Sequence, residues 1–114
     1  MLHRMKKRPQ YRRTFIREWR KHRQLTLEQL SSRLEELGQG DLGPSALSML
    51  ERGQRAYTQQ SLEALANALQ TDVASLLMRN PTDPEAIWSV WDNAQPGERR
   101  MIVEIAKTVV KRAS

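Results

Sequence analysis

Leucine recurs every three or four residues through the middle of this chain: Leu27, Leu30, Leu34 and Leu37, then Leu47 and Leu50, then Leu62, Leu65 and Leu69. That spacing lines one face of a helix and cannot line one face of a strand, where the period is two. No stretch shows sustained apolar/polar alternation with β-branched residues, so strand signals are absent and the expected class is all-α. The boundaries are equally local. Thr26-Leu-Glu-Gln29 is a capping-box pattern, in which the hydroxyl caps a free N–H and Gln29 reaches back. "GQGDLG" ends that helix, and Pro44 suits the first turn of the next, where its missing N–H costs nothing. Gly53 can take the left-handed conformation that stops it. Thr58 caps a fourth helix with Leu62, Leu65, Ala66 and Leu69 inward, and Asp72 caps a short fifth holding Val73, Leu76 and Leu77. Ahead of them, "YRRTFIREWRKHR" places Ile16, Trp19 and Arg20 on one face of a first helix.

"RNPTDP" reads as a linker, with two prolines in four residues. Beyond it Asp83-Pro84 opens a helix carrying Ile87, Trp88 and Trp91, and "QPGE" starts a last one. Its stripe (Met101, Ile102, Ile105, Ala106, Val109, Val110) is too apolar for a two-helix hairpin to bury by itself. It packs either on the rest of the chain or on a second copy. Trp and Met suit interface cores, which favours dimerisation through Ile87, Trp88, Trp91, Ile102, Ile105 and Val109.

The absence of cysteine excludes disulfides, thiolate zinc sites and iron–sulfur clusters, and fits a reducing compartment. No apolar run is long enough to span a membrane, and no apolar h-region marks a secretory signal, so a cytoplasmic protein is expected. Charge is concentrated at one end. Residues 1–23 hold ten of the 19 basic groups against Glu18 alone, and the remainder is acidic on balance. A basic arm suits a polyanion, because neutralising phosphates releases condensed counterions. A solvated tail and a membrane-surface helix around Phe15, Ile16 and Trp19 are the plainer alternatives.

"REWRKHRQLTLEQLSSRL … SALSMLERGQRAYTQQSLEALANALQTDVASLL" resembles the phage-repressor/Cro (XRE-type) helix-turn-helix family over residues 14–78. The marks are Arg20, the capping Thr26, Leu30, Ser48-x-x-Glu51-Arg52-Gly53, Leu62 through Leu69, and Leu76-Leu77. The resemblance implies a five-helix lambda-repressor-like helix-turn-helix domain, here followed by a C-terminal two-helix hairpin. The expected organisation is an arm over 1–13, the DNA-binding domain over 14–79 and the hairpin over 80–114. It also implies a structural ion pair between Arg20 and Glu51. Several positions depart from the family pattern. About six extra residues lie around Glu35–Leu42; Leu27 stands where a Gln often touches DNA backbone, and Ser31 replaces a small Ala. Gln24 and Gln70 stand where glycines commonly end helices, inviting left-handed strain.

In the family the third helix enters the major groove. By position the base readers here are Pro44, Ser45, Ala46, Ser48 and Met49, which offer no bidentate Arg–guanine or Asn–adenine pair. Thr26, Arg52, Gln54, Arg55 and Tyr57 fit DNA backbone contacts that set register. Discrimination is therefore expected also from the arm (Lys6, Lys7, Arg8, Arg12, Arg13) and from Gln39 and Asp41 in the inserted turn.

Other chemistries find less support. Gly38-Gln39-Gly40-Asp41-Leu42-Gly43 matches G-x-G-x-x-G but follows a helix in a chain without strands, so it lacks the βαβ context a nucleotide site needs. His3 and His22 have no metal-ligand spacing and no carboxylate to orient them. Glu35-Glu36 reads as a solvated face, and the stacking aromatics of RNA-binding modules are missing. The expectation is a non-enzyme without cofactor or metal: a bacterial or phage transcriptional regulator, nucleoid-associated when bound. Its expected partners are double-stranded DNA and a second copy, as a repressor on a palindromic operator. An antitoxin-type protein, whose hairpin holds a protein partner and whose DNA binding is autoregulatory, is the alternative.

Overall fold

The computed structural model describes residues 10–39 and 42–110. Within them the chain forms seven helices and no strand: α1 Ile16–His22, α2 Leu27–Glu36, α3 Pro44–Glu51, α4 Gln59–Ala68, α5 Val73–Met78, α6 Ile87–Asn93 and α7 Pro96–Val110. None of them is long and apolar enough to cross a membrane. A single core draws Ile16 and Trp19 from α1, Leu30 and Leu34 from α2, Leu47 and Leu50 from α3, five residues of α4 and Leu76 of α5. These are the three- and four-residue leucine repeats, turned inward.

Local chemistry sets where each helix starts. Thr26 Oγ1 accepts from the Gln29 N–H (3.1 Å) while Gln29 Oε1 accepts from the Thr26 N–H (2.8 Å), closing the capping box. Thr58 and Ser61 form the same reciprocal pair at the head of α4. Asp72 caps α5: the Ser75 backbone N–H, 2.7 Å from Oδ1, holds its carboxyl below the usual carboxylate range. Gln24 (φ 59°) and Gln70 (φ 56°) both occupy the left-handed region at helix ends. Arg23 donates to the carbonyls of Leu69 (2.8 Å) and Gln70 (3.0 Å), and Arg33 donates to Ala68 O (3.0 Å), so the end of α4 is not left unsatisfied.

Two expectations shift. Leu37 is not a core residue: it is the C-cap of α2 and 49% exposed, because the helix ends one residue before it would turn inward. The helix after Pro84 begins at Ile87, because Asp83 and Asn80 hold the preceding residues in turns. The hairpin behaves differently from everything before it. No residue of α6 or α7 is buried, so its stripe is not an intrachain packing layer.

The first helix is locked to the third by charge. Arg20 Nε and Nη2 donate to the two carboxylate oxygens of Glu51 at 2.6 and 2.9 Å, and Nη1 donates to Leu25 O at 2.9 Å. The side chains are only 12% and 4% exposed. A buried pair is costly to break from one side, because the remaining charge is stranded. Glu51→Ala should therefore lower stability by about 3–5 kcal/mol in urea denaturation, while Arg20→Met with Glu51→Leu costs much less. A loss below about 1 kcal/mol for the single variant would show that the pair does not carry the fold.

Candidate nucleic-acid interface

α3 presents two faces. Leu47, Leu50 and Glu51 are buried, whereas Pro44 and Ser45 are exposed and Ala46, Ser48 and Met49 are half-buried. Ala46 also packs against the core, so of the five residues placed outward by sequence it is the one most engaged by the fold. Gly43 precedes the helix in an extended conformation and offers no side-chain cap. The first amides of α3 therefore have no side-chain acceptor at the N-cap.

The turn between α2 and α3 is pinned at both stems. Gln39 N–H donates to Leu34 O (2.8 Å), Ser31 Oγ donates to Leu42 O (2.9 Å), and Leu42 enters the core at 6% exposure. Ser31 thus has a task that an alanine could not perform. The turn leans toward the start of α4: Gln39 and Leu42 face Arg55, Thr58, Gln60 and Ser61 across a cleft of about 180 Å³. Sequence distance concealed this neighbourhood, since Gln39 and Arg55 belong to separate loops. Asp41 lies outside the described residues, as do Lys6, Lys7 and Arg8.

The described part of the arm is fastened to the end of α3. Tyr11 N–H donates to Gly53 O at 2.8 Å, and Gln10 Nε2 donates to Arg52 O at 3.3 Å. Gly53 sits at φ +71°, and a Cβ there would lie 2.8 Å from Tyr11 O. Glycine is needed twice at this position, for its conformation and for the crossing chain. Arg13 pairs with Glu18 at 2.8 Å, and Arg12 is exposed. A second cleft of about 250 Å³ lies among Gln10, Tyr11, Arg13, Arg17, Glu51 and Arg52. Arg17 joins this cluster without any motif to announce it; its only sequence signal is the charge excess of the first helix.

The arginines divide by task. Arg20, Arg23 and Arg33 are spent on the fold, as their partners show. Arg12, Arg17, Lys21, Arg52 and Arg55 are exposed. Arg52 is partly turned back, its Nε donating to Ser48 O at 3.3 Å, and Gln54 is half-buried with a carbonyl oxygen that finds no partner among the described residues. Thr26 and Tyr57 are exposed, the former with its hydroxyl engaged in its cap. The surface is therefore one of scattered cationic groups beside an uncharged helix face, suited to a polyanion's backbone. Among the described residues no three His, Cys, Asp or Glu side chains gather to hold a metal.

A family profile described as helix-turn-helix matches residues 16–76, more than half of the chain. No curated protein and no solved structure matches it. The chain belongs to the XRE-type helix-turn-helix family and is a DNA-binding transcription regulator. That family's domain is regulatory rather than catalytic.

The Gly53 crossing has a direct consequence. Gly53→Ala should cost about 1–2 kcal/mol from the left-handed backbone alone, and more as its Cβ displaces Tyr11. Hydrogen exchange should show the Tyr11 amide losing protection in this variant. Retained protection would mean that the crossing does not depend on glycine.

Proposed function

We propose, with that membership as premise, that the protein is a repressor that binds a two-fold symmetric operator as a homodimer. The observation that carries the reading is the uncovered face of the hairpin. Met101, Ile105 and Val109 are 64%, 60% and 62% exposed, and Ile87, Trp88 and Val90 are exposed beside them. Val90 lines one groove with Met101, Ile102 and Ile105, and exposed apolar surface of this kind marks an interaction site. A second copy is the natural cover, because a two-fold axis pairs one stripe with itself and needs no other surface. Ile102, half-buried, lines the same groove, and the half-buried Trp91 stacks beneath the Arg99 guanidinium.

Two copies so joined carry two α3 helices, which suits a palindromic site. Ser45 and Ser48 can donate or accept at either base type, and Met49, with Ala46 and Pro44, meets thymine methyls. Arg52, Arg55, Gln54, Tyr57 and Thr26 hold phosphates and set register. Because the helix lacks a bidentate reader, the arm (Lys6, Lys7, Arg8, Arg12, Arg13) and Gln39 share the discrimination, through groove width and backbone shape. Repression needs only occupancy of the site, so no further surface is called for.

Ile105→Glu should convert the dimer to a monomer in light scattering and weaken binding to a palindromic duplex by about 10²-fold, through lost avidity. A monomeric wild-type chain would favour the other reading, a partner protein on the hairpin with autoregulatory DNA binding. The arm is tested separately. Deleting residues 1–9 removes Arg4, Lys6, Lys7 and Arg8. The slope of log K against log salt should then flatten by up to about 3–4. An unchanged slope would exclude the arm from the complex.

A further inference from the structure

Between α5 and α6 the chain runs through residues 79–86, the stretch whose two prolines read as a linker. Its side chains stitch it into consecutive turns. Asn80 Oδ1 accepts from both the N–H (2.9 Å) and the hydroxyl (2.6 Å) of Thr82. Asp83 Oδ1 accepts from the Glu85 N–H (2.9 Å), and the Ala86 N–H donates to Asp83 O (3.2 Å). Pro81 and Pro84 each fix a further φ, so the segment is stiffer than a flexible tether. It is a strut.

Arg79 fastens the strut at both ends. Its carbonyl accepts from the Trp19 indole N–H at 3.0 Å, and the same N–H is shared with Ser75 O at 3.1 Å. Trp19 is a core residue of the DNA-binding part. The guanidinium points the other way, lying 4.0 Å from the Trp88 ring centroid and 3.9 Å from an Asp92 carboxylate oxygen, both on α6. Ser89 Oγ adds a bond to Asn80 O at 3.5 Å. Each contact is modest alone, as partly exposed cation–π and ion pairs are. They act on the same motion, however: turning α6 about the strut breaks the stacking and the ion pair together.

We propose that Arg79 is a positioning residue for DNA recognition, holding the hairpin at a set angle to α3. In the dimer it thereby determines the separation and rotational phase of the two α3 helices, and so the operator spacing that the protein accepts. The inference rests on the homodimer reading above. Each base pair added between half-sites moves them by about 3.4 Å and turns them by about 35° around the duplex. A stiff dimer follows such a change only by deforming the DNA, whereas a loose one adjusts its own hinge. Arg79 touches neither the outward face of α3 nor the apolar stripe of α7; its one contact with the exposed patch is the Trp88 ring.

The test uses the full chain and palindromic duplexes that share one half-site, selected from randomised DNA, and differ by single base pairs in spacer length. The wild-type dimer should prefer one spacer over its neighbours by about tenfold or more. Arg79→Ala should remain dimeric in light scattering and bind a single half-site as the wild type does, while the spacer preference falls to within about threefold. Arg79→Lys, which keeps the charge, should recover part of it. Asn80→Ala loosens the strut without touching Trp19 or Trp88 and should shift the preference in the same direction, so the result does not hang on one variant. A spacer preference unchanged in Arg79→Ala and Asn80→Ala would overturn the proposal. So would loss of dimerisation in Arg79→Ala, which would make Arg79 an interface residue. Failure of the underlying reading is distinguishable, because a monomeric wild-type chain would be seen before any DNA is added.

Discussion

The grip of Arg20 on Glu51 is the interaction from which the geometry of the site follows. Glu51 is the last residue of α3, and both its carboxylate oxygens are held by a guanidinium that also reaches the Leu25 carbonyl. One cation thus joins α1, the loop before α2 and the end of α3. Because the pair is almost dry, its geometry is enforced by the cost of stranding either charge rather than by its attraction alone. Two residues later Gly53 turns the chain and receives Tyr11, so the incoming segment is laid across the same helix end. The orientation of the outward face of α3 and the departure point of the arm are consequences of one buried pair and one glycine.

Much of this was legible in sequence because it depends on neighbours within four residues. The capping pair Thr26–Gln29, Thr58 at the head of α4, Asp72 at the head of α5, Pro44 at the head of α3 and Gly53 beyond its end all obey short-range rules. The leucine repeats likewise announced which faces would meet. The failures are of another kind. Leu37 continues the period of α2 but falls just past its last turn, where periodicity no longer says what faces inward. The tie of Tyr11 to Gly53 spans 42 residues, and the approach of Gln39 to Arg55 joins separate loops; no pattern encodes either. The segment after Arg79 has the composition of a linker, and only its own hydrogen bonds distinguish a strut from a tether.

The distribution of charge explains why α3 is sparse. Of the basic groups in the described domain, Arg20, Arg23 and Arg33 close helix ends or pair with Glu51. The exposed cations of the domain, Arg12, Arg13, Arg17, Lys21, Arg52 and Arg55, all fall outside the residues of α3. On the proposed reading such an arrangement supplies affinity for phosphates and leaves little direct base discrimination, for which short serine and methionine side chains are poorly equipped. In the dimer we propose, specificity depends on how accurately two modest helices are placed, which would make the hairpin and its attachment part of recognition. In this account the apolar stripe of α7, the strut and the recognition helix form one device.

The proposed dimer, two copies presenting sparse recognition helices in fixed register, can be put to selection from randomised duplex DNA with the full chain. It predicts an enriched motif that is two-fold symmetric, with thymine-rich half-sites of low information content at a single dominant spacing. An asymmetric motif, or a single strongly specified site with guanine contacts and no symmetric partner, would contradict it.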